Sequence, residues 1–232
     1  MILIFDYFET LLNSRSMDFN RGLKAFWETY YRDRCSFEEM KSYGEELFGE
    51  LILKHNEGLE FPFVKEELPL YAEKFGGDVV SLSVEEEADF LMRCNDFELE
   101  PGTEDFLIKC SQKGIPMYVL SNSGFRGDAL MLILKRFGIG KYFRKLWSSA
   151  EFGRIKPSRE FFEIAINTTL SENPSEVREN IIFVGDMYDT DVIGAHNAGI
   201  RSAWINKRGA EDPQKLAAYN VASVGGLTDI MI

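Results

Sequence analysis

The sequence predicts an α/β protein in which a doubly wound parallel sheet forms the core and an all-helical cap subdomain is inserted into it. Two observations lead to this prediction. Short apolar runs recur along the 232-residue chain, each followed by a polar residue, as in strands buried on both faces of a parallel sheet. One long segment, in contrast, has helical periodicity only. We assign residues 1–14 and 96–232 to the core and residues 15–95 to the cap.

The core strands are predicted from the apolar runs. Ile2–Phe5 is the first run, and Asp6 ends it at the carboxyl end of the predicted strand. A helix is predicted over residues 103–112, after Pro101-Gly102 has returned the chain to the core. Later runs predict the remaining strands, which are residues 116–120, 181–184, 202–205 and a final short strand over 221–224.

The cap is predicted from helix signals in the segment after the first strand. Ser36 with Glu39 and Ser83 with Glu86 have the spacing of capping boxes, in which each side chain satisfies a free backbone N–H of the first helical turn. One helix carries a stripe of large apolar residues, which predicts core packing rather than a cofactor site. These residues are Phe19, Leu23, Phe26, Trp27 and Tyr30.

Composition limits the possible partners. The net charge of −12 argues against a nucleic-acid surface, which needs clustered Lys and Arg. Cys35, Cys94 and Cys110 lack the spacing of a zinc site or a disulfide framework. No apolar stretch is long enough to span a membrane and the N-terminus lacks a leader pattern, so we expect a cytoplasmic protein. We expect a small anionic molecule as substrate, whereas the sequence does not indicate an oligomeric state.

Four polar segments follow strands or open helices, and the carboxyl ends of parallel strands meet in one crevice. The last of them contains Asp186, Asp189 and Asp191 within six residues. Like charges about 4 Å apart repel by roughly 4 kcal/mol at an effective dielectric constant near 20, so this cluster requires a counter-ion. The four segments are residues 5–11, 119–123, 153–157 and 184–191.

In order and character, these segments resemble the four sequence motifs of the haloacid dehalogenase superfamily, and the helical insert resembles its cap. The resemblance covers nearly the whole chain and implies a Rossmann-like core that hydrolyses its substrate with Mg²⁺ as cofactor. It also implies the roles of individual residues. Asp189 could equally bind the metal or cap a helix. The implied roles are catalysis by Asp6, Ser121 and Lys156, phosphate binding by Thr10 and Asn122, and Mg²⁺ binding by Asp6, Asp186, Asp191 and the backbone carbonyl of Phe8.

One position departs from the pattern of the superfamily's phosphatases, which usually carry a second aspartate two residues after the nucleophile. Phe8 stands there, and its ring cannot transfer a proton. A general acid typically contributes about 10²- to 10⁴-fold in rate. Three explanations are open. In the first, the leaving group needs little protonation, as in acyl or aryl phosphates. In the second, Glu9 replaces the acid. In the third, the reaction is not phosphoryl transfer.

We therefore weigh three functions. The leading hypothesis is a Mg²⁺-dependent phosphatase that acts on a small phosphorylated metabolite through an aspartyl-phosphate intermediate. The second is a 2-haloacid dehalogenase, because enzymes of that type carry an aromatic residue at the position of Phe8. Against it, those enzymes use no metal and lack the acidic pair that Asp186 and Asp191 form here. The third is a catalytically weak, metal-binding regulatory protein.

Overall fold

In the computed structural model, which describes residues 1–232, the centre of the molecule is a six-stranded parallel sheet with the strand order β5-β4-β1-β6-β7-β8. The two other strands, β2 and β3, pair antiparallel in a separate ribbon. The strands are β1 (Ile2–Phe5), β2 (Leu12–Met17), β3 (Asn95–Leu99), β4 (Met117–Ser121), β5 (Leu146–Ser148), β6 (Ile181–Gly185), β7 (Arg201–Ile205) and β8 (Tyr219–Val221).

Helices cover the sheet on both faces and build the insert. Four helices lie in the insert and six in the core. They are α1 (Phe19–Tyr30), α2 (Phe37–Asn56), α3 (Leu68–Phe75), α4 (Val84–Cys94), α5 (Thr103–Gln112), α6 (Gly127–Arg136), α7 (Ser149–Phe152), α8 (Arg159–Glu172), α9 (Ile193–Asn197) and α10 (Thr228–Met231).

The central strand β1 shows why the apolar runs are continuous. Leu3 and Phe5 pack into a cluster with α5 and α6, whereas Ile2 and Ile4 pack into a second cluster with α8 and α9. All four side chains are fully buried. Successive residues of a strand point to opposite faces, so a strand covered on both faces needs apolar residues at every position. This arrangement confirms the predicted doubly wound α/β core.

The strand predictions were correct for the long buried strands and wrong in three places. The final strand is Tyr219–Val221, and Val224 lies instead in a buried helical turn beside α5. The three-residue strand β5 was not predicted. The ribbon of β2 and β3 was also missed, because residues 13–16 are polar and largely solvent-facing and pair through their backbones.

The insert has a hydrophobic core of its own, in which Leu23, Phe26, Tyr71 and Phe90 are buried. Both predicted capping boxes are present, at the N-termini of α2 and α4. The ribbon connects this helical unit to the sheet. No helix has both the length and the hydropathy needed to cross a lipid bilayer.

One half-buried carboxyl group, that of Glu67, should make the stability of the cap depend on pH. Burial raises the pKa of Glu67 to about 7, although the hydroxyl of Tyr71 donates a hydrogen bond to Oε1 (3.4 Å) and acts in the opposite direction. The ordinary pKa of Glu is about 4.3. The folded protein therefore holds this proton more tightly than the unfolded chain. The resulting stabilisation is complete below about pH 4 and is lost as the pH rises through about 7.

We therefore expect Glu67→Gln, which stays neutral at every pH, to gain stability relative to the wild type between pH 5 and pH 8. The expected gain in the free energy of unfolding is on the order of 1–3 kcal/mol. Urea denaturation at the two pH values measures it. Glu50→Gln, at an exposed position of α2, is the control and should follow the wild type. An equal stability difference for Glu67→Gln at both pH values would contradict the prediction.

Candidate active site

Three of the predicted site residues stand at the ends of three neighbouring strands. Asp6 follows β1, Ser121 is the last residue of β4, and Asp186 follows Gly185 at the end of β6. The register aligns these ends, since Phe5 pairs with both Val119 and Val184. The backbone N–H of Asp6 donates to the carbonyl of Val184 (2.8 Å). The crevice between the strand ends is therefore fixed by the ladder of the sheet.

Three carboxylates meet in this crevice. One oxygen atom each of Asp6, Asp186 and Asp191 lies within 4.8 Å of the others. Asp191 is almost fully buried. Its Oδ2 accepts a hydrogen bond from the backbone N–H of Met187 (3.0 Å), and its Oδ1 accepts one from the hydroxyl of Thr190 (3.2 Å). The helical turn over residues 188–192 thus directs Asp191 back towards the strand end.

The ammonium group of Lys156 lies between two of these carboxylates. Its Nζ is 2.6 Å from Oδ1 of Asp6 and 2.7 Å from Oδ1 of Asp191, and the side chain is only 2% exposed. Burial disfavours the charged form of Lys156, but the two carboxylates outweigh this effect and raise its pKa. Lys156 is thus held as a permanent cation beside the predicted nucleophile.

A single ammonium group does not balance three carboxylates. Burial raises the pKa of Asp186 to about 7, and the charges of Asp6 and Asp191 add to the increase. Burial likewise raises the pKa of Asp6 to about 6, against the opposing effect of Lys156. A further cation would relieve this repulsion. Clustered carboxylate oxygens are the ligands that a hard divalent ion such as Mg²⁺ prefers, so the residues present fit the implied metal.

The third aspartate of the motif is not part of the cluster. Asp189 is exposed, and its side chain caps no helix. The other implied contact to the metal, the backbone carbonyl of Phe8, stays a prediction. Thr10, predicted to bind phosphate, is fully buried, and its hydroxyl lies 3.5 Å from Oδ1 of Asp186. Thr10 therefore lies next to the acidic cluster.

Asn122 links two of the motif loops. Its Oδ1 accepts from the backbone N–H of Lys156 (2.7 Å), and its Nδ2 donates to the carbonyl of Lys156 (3.0 Å). This pair of bonds fixes the backbone from which the Lys156 side chain extends. Ser121 is fully buried at the end of β4. The structure thus gives Asn122 a positioning contact in addition to its predicted role in phosphate binding.

Neither residue after Tyr7 offers a proton to the crevice. The ring of Phe8 packs on Tyr7 and stacks on Phe97 of β3, with ring centroids 4.7 and 6.1 Å apart. Glu9 accepts a hydrogen bond from the backbone N–H of Ser14 (3.1 Å), and its other oxygen is 3.2 Å from Nζ of Lys207. The carboxylate of Glu9 is thus engaged at the ribbon, which argues against its replacing the missing acid.

Two contributors to the site were not predicted from the sequence. The indole N–H of Trp204 donates to the backbone carbonyl of Asp186 (2.8 Å) and fixes the residue from the neighbouring strand. Gly185 leaves room for Asp191, because a Cβ at this position would overlap the carboxylate. The Gly-Asp pair at the strand end was visible in the sequence, but Trp204 looked like an ordinary core residue.

The cap is attached to the core close to these loops. In the segment after α2, the buried Glu60 contacts the hydroxyl of Ser149 (2.5 Å), which accepts from the backbone N–H of Ser123 (2.7 Å). On the other side, Glu87 of α4 is fully buried and accepts from the backbone N–H of Arg126 (2.7 Å) and from its guanidinium group. These contacts hold the cap beside the loop that follows Ser121.

Comparison with known proteins agrees with this geometry. Residues 3–205 match the sequence model of the haloacid dehalogenase-like hydrolase family. The chain is 27% identical over 180 residues to the pyrimidine 5′-nucleotidase YjjG of Escherichia coli K12, a match that covers 70% of this chain and 78% of that protein. It is 30% identical over 130 residues to a glyceraldehyde 3-phosphate phosphatase of Methanothermobacter thermautotrophicus, covering 56% of this chain and 54% of that enzyme.

Among solved structures, a 2-haloacid dehalogenase from Pseudomonas syringae pv. Tomato DC3000 superimposes with a TM-score of 0.69. The two chains are 21% identical, and the match covers 99% of this chain and 98% of the other. At this identity the likeness shows the fold alone. It extends over both the parallel core and the helical insert.

The contact between Gly185 and Asp191 can be tested directly. We expect Gly185→Ala to displace the Asp191 carboxylate from Lys156 and to weaken Mg²⁺ binding by about 10- to 100-fold, the usual effect of disturbing the groups that orient metal ligands. Isothermal titration calorimetry measures the affinity. Gly49→Ala is the matched control, since a Cβ there meets nothing within 4 Å. Unchanged affinity in Gly185→Ala would exclude Asp191 from the metal site.

Proposed function

Because the chain belongs to the haloacid dehalogenase-like hydrolase family, we propose that it is a Mg²⁺-dependent phosphatase that hydrolyses a small phosphorylated molecule through an aspartyl-phosphate at Asp6. The observation that carries this proposal is the buried contact of Lys156 with both Asp6 and Asp191 beside a third carboxylate, Asp186. Such a site carries enough positive charge for a phosphate group only when a divalent cation joins Lys156.

In the first step, a carboxylate oxygen of Asp6 attacks phosphorus and forms an acyl phosphate, while the bond to the leaving oxygen breaks and its electrons stay with that oxygen. Lys156 holds Asp6 in position and offers its positive charge to the phosphoryl oxygens. The hydroxyl of Ser121 and the amide of Asn122 contribute neutral hydrogen-bond donors. Such preorganised groups stabilise charge that develops in the transition state.

When bound, Mg²⁺ supplies further charge neutralisation between the anionic nucleophile and the anionic phosphate. In the second step, water attacks the phosphorus of the acyl phosphate. The bond to Asp6 breaks, inorganic phosphate leaves, and the free carboxylate is restored to its contact with Lys156. The proton released by water passes to phosphate or solvent. Asp186 and Asp191 keep their positions throughout because the strand end and the following turn fix them.

The comparisons support a phosphatase over the alternatives. The curated relatives include a nucleotidase and a phosphatase, both named for the release of phosphate from small molecules. A 2-haloacid dehalogenase stays the second candidate, because a halide leaves as an anion and needs no proton, so the lack of a general acid at Phe8 does not count against it. Against it, a site for attack on carbon gains nothing from Asp186 and Asp191, whose charges add to the repulsion around the nucleophile.

The proposal predicts which aspartates matter for activity. With Mg²⁺ and 4-nitrophenyl phosphate, we expect Asp6→Asn and Asp186→Asn to lower kcat/KM by on the order of 10³-fold or more, because one loses the nucleophile and the other a metal ligand. Asp189→Asn is the matched control from the same motif and should stay close to the wild type. EDTA should abolish the wild-type activity.

The same purified enzymes distinguish the hydrolysis of phosphate esters from the dehalogenation of 2-haloacids. Mass spectrometry of the wild type quenched in acid during turnover should show a phosphate group on Asp6. Release of halide from a 2-haloacid in the presence of EDTA, without release of phosphate from any ester, would establish the dehalogenase instead.

A further inference from the structure

A cavity of about 290 Å³ lies in the cap, next to the loop that follows the catalytic strand β4. Helices α1 and α2 form one side of it, and Gly124 and Phe125 of the core form another. Its lining is mainly apolar, with several aromatic rings. The residues that define this character are Phe19, Leu23, Leu47, Phe61, Phe63 and Phe125.

The cavity is close to the catalytic residues in the chain and is fixed relative to them. Gly124 comes three residues after Ser121, so their Cα atoms are at most ~11 Å apart. The backbone N–H of Phe63 donates to the carbonyl of Gly124 (2.8 Å), and the ring of Phe63 packs on that of Phe125 at 5.2 Å. The loop that begins after Ser121 therefore joins the catalytic crevice to the lining of this cavity.

The charges of the lining restrict the occupant. Glu45 and Glu67 are its only ionisable residues, and neither Lys nor Arg lines it. Burial raises the pKa of Glu67 to about 7, which reflects apolar surroundings and the lack of a cationic partner. A leaving group with a carboxylate or a second phosphate would meet negative charge and no compensating cation. The cavity thus suits a neutral, apolar group.

The missing general acid restricts the bond that breaks. Phe8 packs on Tyr7 and Phe97, and Glu9 is engaged by Ser14 and Lys207, so neither protonates the leaving oxygen. An alkoxide resembles hydroxide and is strongly basic, whereas a phenolate resembles ionised tyrosine, whose conjugate acid has a pKa of about 10. Without a proton, a phenolate therefore leaves far more readily than an alkoxide does.

From these two independent observations we infer that the substrate is an aryl phosphate monoester, a neutral aromatic group joined to phosphate through a phenolic oxygen. The inference rests on the proposed phosphatase function. The aromatic group occupies the cavity among Phe61, Phe63 and Phe125, where ring stacking and burial stabilise it. On attack by Asp6, the bond between phosphorus and the aryl oxygen breaks, its electrons remain on the phenolate, and water later releases phosphate from Asp6.

The first test compares leaving groups. With Mg²⁺, kcat/KM for phenyl phosphate should exceed that for uridine 5′-monophosphate and for glycerol phosphate by about 100-fold or more, the contribution of a missing acid. Phe8→Asp, which restores a carboxyl group at this position, should narrow the difference by about tenfold or more. Equal or faster hydrolysis of the alkyl esters by the wild type overturns the inference and leaves the phosphatase proposal intact.

The second test examines the cavity and does not depend on the Phe8→Asp variant. The wild type should prefer phenyl phosphate over 4-carboxyphenyl phosphate. Phe48 lines the cavity and is 58% exposed, so Phe48→Lys should fold normally and place a cation at its mouth. In this variant the ratio of kcat/KM for phenyl phosphate to kcat/KM for 4-carboxyphenyl phosphate should fall about threefold or more. The change should lie mainly in KM, because the new lysine forms a partly screened charge pair with the substrate's carboxylate.

Leu53→Lys is the matched control, because Leu53 lies on the same helix, is 59% exposed and does not line the cavity. Its preference should equal that of the wild type. If Phe48→Lys also leaves the preference unchanged, the aryl group does not occupy this cavity and the inference fails. If no ester of any kind releases phosphate, the proposed function fails together with the inference.

Discussion

The buried contact of Lys156 with the carboxylates of Asp6 and Asp191 is the interaction on which the rest of the core depends. Burying an ion costs several kcal/mol unless partners compensate it. The ladder of β4, β1 and β6 fixes the strand ends, Asn122 fixes the backbone of Lys156, and the absence of a Cβ at Gly185 leaves room for Asp191. Asp186 makes the crevice negative overall, and this excess of negative charge is the basis of the proposed divalent-cation site.

The sequence was sufficient to predict those parts that follow from local pattern. Buried parallel strands require uninterrupted apolar runs, so β1, β4, β6 and β7 were recognisable, and polar residues at their ends indicated the crevice. The ribbon of β2 and β3 escaped prediction because its stability comes from backbone pairing and from the stacking of Phe8 on Phe97. The contact from Trp204 to Asp186 depends on strand order, which a single apolar run does not reveal.

Phe8 stands where the superfamily's phosphatases usually carry an aspartate, and the structure gives a physical reason for it that the sequence alone left open. The ring packs at the base of the ribbon, where the chain leaves the core for the cap, and Glu9 is tied to Lys207 on the same side. In phosphatases of this superfamily the residue at this position commonly transfers a proton. In this chain Phe8 instead packs at the connection between the core and the cap. The aromatic lining of the cap cavity matches this chemistry, since an aryl leaving group needs no acid and suits an apolar pocket.

The most direct measurement is the melting temperature of the wild type and of Asp186→Asn at pH 8, in EDTA and in saturating Mg²⁺. In EDTA, the variant should melt at a higher temperature, because one of three mutually repelling carboxylates is gone. With Mg²⁺, the wild type should gain about 5 °C or more, as a stabilisation of 2–3 kcal/mol implies for a chain of this size, whereas the variant should gain little. A variant that is less stable in EDTA, or equal Mg²⁺ shifts in both proteins, would contradict the account.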